Sequence, residues 1–113
     1  MTAITTHVLD TSRGQPAEGV PVTLEVETAG GWKFVGKGTT NADGRIPDLL
    51  PGEAAIEAGT YRLTFETAKY FANQDLKGFY PHVSVEFQID DSRQHYHVPL
   101  LLSPFGYSTY RGS

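Results

Sequence analysis

Alternation with a period of two runs through most of this chain, and it restricts the possible folds more than any other feature. Val20, Val22, Leu24 and Val26 alternate with Pro21, Thr23, Glu25 and Glu27. Tyr61, Leu63 and Phe65 alternate with Arg62, Thr64 and Glu66, and Val83, Val85, Phe87 and Ile89 with Ser84, Glu86, Gln88 and Asp90. Successive side chains of an extended strand point to opposite faces, so each run predicts a strand with one apolar and one polar face. Strands of this kind bury their apolar faces by closing two sheets on each other, which predicts an all-β, antiparallel two-sheet sandwich. Turn signals separate the runs at Arg13-Gly14-Gln15-Pro16, Ala29-Gly30-Gly31 and Asn41-Ala42-Asp43-Gly44. The last places Asp-Gly where a tight turn needs a positive φ. Only Thr67 to Gln74 reads as helical, with Ala68, Phe71 and Ala72 at helical spacing.

The chain has 113 residues, enough for one domain and too few for two, so residues 1–113 are read as a single domain without linkers or repeats. A formal charge of −4 builds no basic stripe, which excludes nucleic acid as an expected partner. Cysteine is absent, which removes disulfides, thiolate metal sites and cysteine nucleophiles and fits a reducing cytoplasm. The N-terminus Met1-Thr2-Ala3-Ile4-Thr5-Thr6-His7 lacks the basic and apolar regions of a signal peptide. No stretch approaches the roughly twenty apolar residues of a membrane span, so no membrane association is expected. A cytoplasmic location is the expectation.

Two strands break the pattern. In Tyr96 to Leu102 the core set is Val98, Leu100 and Leu102, yet the opposite face carries His95, His97, Pro99 and Leu101 and is too apolar for solvent. Near the N-terminus, Thr5, His7 and Leu9 share one face and Ile4, Thr6 and Val8 the other. Two coverings suit such an outer face: a loop of the same chain, or a second copy with His97 and His7 inside the contact.

His95 and His97, two apart on a strand, point to the same side and with His7 could form a three-histidine zinc site. A His-x-His pair is a weak signal, and no Asp or Glu stands between or beside the two, so neither metal nor cofactor is expected. His82, after Pro81, reads as a surface or packing residue. A solitary histidine is usually structural, although a neutral imidazole can take a proton from water near neutral pH. Arg45, directly after the Asp-Gly turn, is ordinarily a solvated turn residue; beside an imidazole, its guanidinium would suit a planar anion or a developing oxyanion. The chain closes on Tyr110-Arg111-Gly112-Ser113, an unusually patterned end for a segment that ordinarily frays. The residues by themselves lead to an oligomeric β-sandwich with a small-molecule site.

Several segments carry a resemblance. Thr6-His7-Val8-Leu9-Asp10, Gly14-Gln15-Pro16-Ala17, Gly59-Thr60-Tyr61-Arg62-Leu63 and Phe79-Tyr80-Pro81 are similar, in order, to the transthyretin superfamily. So is His95-Tyr96-His97-Val98-Pro99-Leu100-Leu101-Leu102-Ser103-Pro104, and the similarity runs the whole chain. That superfamily holds a hormone-carrier branch and a 5-hydroxyisourate hydrolase branch. His7, Arg45, His97 and the terminal Tyr110-Arg111-Gly112-Ser113 resemble the hydrolase pattern, whereas carriers hold unrelated residues there.

The resemblance implies a transthyretin-like sandwich of about eight strands with one short helix, assembled as a homotetramer, a dimer of dimers with sites in the central channel. It implies cofactor-free hydrolysis of 5-hydroxyisourate to 2-oxo-4-hydroxy-4-carboxy-5-ureidoimidazoline, on the route from urate to allantoin. By the same resemblance His7 and His97 flank the attacking water, and Arg45 holds substrate and stabilises the oxyanion. Tyr110 and Arg111 bind substrate, and Ser113 with the terminal carboxylate positions base or water. A non-catalytic carrier of small aromatic ligands in the channel is the alternative from another class, and a metal-dependent hydrolase the third.

Overall fold

A computed structural model describes residues 3–50 and 56–113; Met1 and Thr2, read above as part of a non-signal N-terminus, lie outside them. The alternating runs form strands. In chain order they are β1 (Ile4–Asp10), β2 (Gln15–Pro16), β3 (Pro21–Thr28), β4 (Gly31–Thr39), β5 (Gly59–Phe65), β6 (Val83–Ile89), β7 (Tyr96–Ser103) and β8 (Gly106–Thr109). Among the described residues one helix, α1 (Thr67–Ala72), stands between β5 and β6. One sheet has the order β2-β1-β7-β8 and the other β4-β3-β5-β6. Their inner faces bury Ile4, Val8, Leu24, Leu63, Phe65 and Leu100 completely. That is the predicted all-β sandwich of eight strands and one short helix. Among the described residues no helix is long and apolar enough to cross a membrane.

Three details differ from the sequence reading. β1 and β7 pair in parallel, with Thr5 opposite His97 and His7 opposite Pro99, where an antiparallel sandwich was expected. A parallel pair needs a long crossover, and here the whole second sheet lies between the two strands in sequence. β4 was not anticipated, because Gly36, Gly38 and a register shift opposite Leu24/Glu25 spoil its alternation. Ile46 packs against Gly38 so closely that a Cβ there would lie 2.5 Å from its Cγ2. The helix ends at Ala72, and it buries Thr67, Tyr70 and Phe71 rather than the Ala68/Phe71/Ala72 stripe. Six residues make fewer than two turns, so docking decides which side is covered, and periodicity does not.

A buried carboxylate ties helix to sheet. Asp10 ends β1 with 1% of its surface exposed. It accepts from Ser12 Oγ at 2.6 Å, Tyr70 Oη at 2.7 Å, and the backbone N–H groups of Ser12 and Arg13. Burial pushes its pKa up, but these donors outweigh burial and hold it below the usual 3.8. The stability it contributes is therefore complete above the ordinary carboxylate range and is lost as pH falls through the lowered value. Asp10→Asn, which keeps the shape but offers one acceptor oxygen, is expected to lower unfolding free energy by about 1–3 kcal/mol. Urea denaturation at neutral pH measures this, and an unchanged midpoint would show the network to be passive.

Candidate active site

The parallel register of β1 and β7 aligns polar residues on the outer face of their sheet. Thr5 Oγ1 lies 3.0 Å from His95 Nε2 and 2.8 Å from His97 Nδ1, and the two rings stack at 6.5 Å between centroids. The phenol of Tyr96, pointing the other way, accepts from the N–H groups of Asp90 and Asp91 and fixes the approach to β7. His7, one turn of the pleat beyond Thr5, reaches the carbonyl of Asp43 with Nε2 at 2.8 Å. A carbonyl only accepts, so that nitrogen carries the proton.

Arg45 arrives by a different route. Asn41 Oδ1 accepts from the N–H groups of Asp43 and Arg45, and Asn41 O from that of Gly44, which closes the 41–45 turn. Gly44 sits at φ 76°, and a Cβ on it would run into the carbonyl of Val8, so a side chain at this position would be strained and would collide. Val8 N then donates to Gly44 O at 2.8 Å, and His7 bridges Arg45 along the edge of β1. The predicted turn thus delivers Arg45 beside the histidine strand.

The tail completes the arrangement. Gly112 N donates to His97 O at 2.8 Å, and a Cβ on Gly112 would stand 2.5 Å from His97 Cδ2. The chain's own end therefore covers part of the outer face of β7, where Pro99 is buried and Leu101 remains partly exposed. An open concavity of about 610 Å³ results, lined by Thr5, Asp43, Arg45, His95, His97 and Ser113 among others. His7 stands beside it, on the edge shared with Arg45.

Burial lowers the pKa of His97 below the ordinary 6.5, and the positive charge of Arg45 and the proximity of the His7 and His95 rings lower it further. A backbone hydrogen bond at Thr5 works in the opposite direction. His97 consequently stays neutral at physiological pH and able to accept a proton, next to a guanidinium that favours negative charge. Among the described residues no three His, Cys, Asp or Glu are grouped to hold a metal ion.

Two of the expected site residues go elsewhere. Tyr110 and Arg111 line a separate groove of about 310 Å³, with Val85, Phe87, Tyr96 and Val98. Arg111 lies over the Tyr96 ring at 4.5 Å and donates to Gln94 Oε1 at 2.9 Å. His82 is exposed in the segment before β6. Thr5 and Asn41 were missed by the sequence reading. Asn41 was legible as the first residue of an Asx turn, whereas Thr5 acquires its neighbours only through the β1–β7 register.

Comparison with known proteins adds four findings. A family model described as the HIUase/Transthyretin family matches residues 4–112. The 5-hydroxyisourate hydrolase of Salmonella typhimurium is 49% identical over 110 residues, covering 97% of this chain and 80% of that protein. Among solved structures, the Klebsiella pneumoniae 5-hydroxyisourate hydrolase has a TM-score of 0.85 at 40% identity, covering 99% of this chain and 100% of the other. Sea bream transthyretin in complex with thyroxine has a TM-score of 0.91 at 34% identity, covering 98% of this chain and 95% of the other. Backbone shape thus lies close to both, while sequence lies nearer the hydrolases.

Proposed function

This chain belongs to the HIUase/Transthyretin family, and we propose that within it the protein hydrolyses 5-hydroxyisourate to 2-oxo-4-hydroxy-4-carboxy-5-ureidoimidazoline in urate degradation. The observation that carries this reading is the meeting of a neutral imidazole, a guanidinium and the tail at one concavity. His97 lines the concavity, and with Nδ1 on Thr5 its remaining ring nitrogen, Nε2, is the one offered to a water. It acts as general base. Arg45 holds the substrate and stabilises the oxyanion that develops at the attacked carbonyl. His7, whose Nε2–H is held by Asp43 O, orients from the edge, and Ser113 positions base or water. Direct attack by the activated water needs no covalent intermediate.

Tyr110 and Arg111 line a different groove of the same protomer, and their contribution to substrate binding is made across a contact between copies. That suits a cytoplasmic homotetramer, assembled through self-complementary patches related by two-fold axes. Exposed Phe79, Phe105 and Tyr107 supply apolar surface for such contacts. Sedimentation is expected to report about four times the 12.4 kDa chain mass.

A second reading, a channel that only holds a planar ligand, draws on the high structural similarity to transthyretin in complex with thyroxine. One assay separates the two. The ultraviolet decay of freshly generated 5-hydroxyisourate is expected to accelerate with added protein, and equally after exhaustive chelation. Decay at the spontaneous rate would leave the carrier reading; activity that vanishes on chelation and returns with zinc would move the chemistry to a metal.

A further inference from the structure

The hydroxyl of Thr5 stands between two imidazoles and has one proton to give. Its Oγ1 is 2.8 Å from His97 Nδ1 and 3.0 Å from His95 Nε2. Both contacts can be hydrogen bonds in a limited number of ways. Either the hydroxyl accepts from one ring and donates to the other, or it accepts from both and leaves its own proton without a protein partner. The parallel register makes this contact possible, because it sets Thr5 directly opposite His97. Thr5 is only partly exposed and the ring of His97 is hemmed in by Gly112, so neither group is a freely rotating surface side chain.

We propose that Thr5 is a positioning residue that fixes the tautomer of His97, through a directed chain from His97 Nδ1–H to Thr5 Oγ1 and from Thr5 Oγ1–H to His95 Nε2. In this arrangement Nδ1 of His97 carries the proton and Nε2 keeps its lone pair. The chain also survives the chemistry. When Nε2 takes a proton from water, Nδ1 remains a donor, Thr5 remains its acceptor, and no hydroxyl has to turn. With the opposite direction, Nδ1 would hold the lone pair and Nε2 the proton. Proton uptake at Nδ1 would then place two N–H groups against one hydroxyl and force it to reorient. His95, which has no place in the proposed reaction, thereby acquires one: it accepts the Thr5 proton and holds the hydroxyl in the useful direction.

This inference rests on reading His97 as the base, and its test is chosen to be independent of turnover. Long-range ¹H–¹⁵N correlation spectra of histidine rings distinguish Nδ1–H from Nε2–H directly. The wild-type protein, above the titration of His97, is expected to show the Nδ1–H form at that ring. Thr5→Val keeps the branched shape and strand preference but removes the hydroxyl. It is expected to return His97 toward the Nε2–H form that an unconstrained imidazole prefers. It should also lower kcat about 10- to 100-fold, the range for losing a hydrogen bond to a charged group, with KM little changed. Thr5→Ser restores the hydroxyl and should restore both the tautomer and most of kcat. A wild-type Nε2–H tautomer at His97, or an Nδ1–H form that persists in Thr5→Val, overturns the proposal. Absence of any hydrolysis by the wild-type protein would instead overturn the proposed function, and the spectra would still decide the tautomer.

Discussion

Asparagine in place of His97 is expected to reduce hydrolysis of 5-hydroxyisourate by about 10²- to 10⁴-fold, the usual contribution of a positioned general base. The substitution keeps a polar group of similar reach but cannot accept a proton from water. The fold should be indifferent to it. His97 lies on the outer face of its sheet, and the core set of β7 is Val98, Leu100 and Leu102. An unfolding midpoint close to wild type therefore accompanies the loss.

The pH profile of the unaltered protein gives an independent check. Burial, followed by the positive charge of Arg45 and the proximity of the His7 and His95 rings, depresses the pKa of His97 below 6.5. The neutral form is the active one, so kcat should hold as pH falls past the ordinary histidine value and decline only through the lowered one. An acid limb above 6.5, or a His97→Asn protein at full rate, would take the base role away from this residue.

Removal of Gly112 and Ser113 is expected to cost about 10²-fold or more in kcat/KM, comparable to losing one positioned hydrogen-bonding group in a site. The deletion strips Ser113 from the concavity and releases the carbonyl of His97 from Gly112 N–H. It leaves β8, which pairs with β7 from Leu100 to Ser103, fully in place. It also leaves Tyr110 and Arg111, so the second groove and any contact between copies made there are retained. Circular dichroism and sedimentation should match the full-length protein. A truncated tetramer that turns over at the full rate would show that these residues line the concavity without serving it. Tyr110→Phe asks the complementary question, whether a hydroxyl in the other groove reaches substrate across a subunit contact.

The sandwich was written into the chain at short range. A strand's side chains alternate by backbone geometry alone, so Val22/Leu24, Tyr61/Leu63/Phe65 and Val83/Val85 announced β3, β5 and β6 without reference to any partner. Asp43-Gly44 announced its turn because positive φ is a property of one residue. The over-apolar outer side of β7 was equally local, and it pointed to the face on which the concavity lies.

Partnership was not legible in this way. Whether β1 meets β7 in parallel or antiparallel sense depends on the path of some eighty intervening residues, to which alternation is blind. With the pairing sense goes the identity of what stands beside His97, and Thr5 therefore had no signal of its own. β4 escaped because a bulge and two glycines erase the period on which the reading depended. The split of the tail, with Ser113 in the concavity beside His97 and Arg45 while Tyr110 and Arg111 turn to another groove, follows from the return of Gly112 to the carbonyl of His97, a contact distant in the chain. Local sequence specifies which way each side chain points from its own backbone. What it points at is set by contacts distant in the chain, whose energies exist only once both sheets have closed.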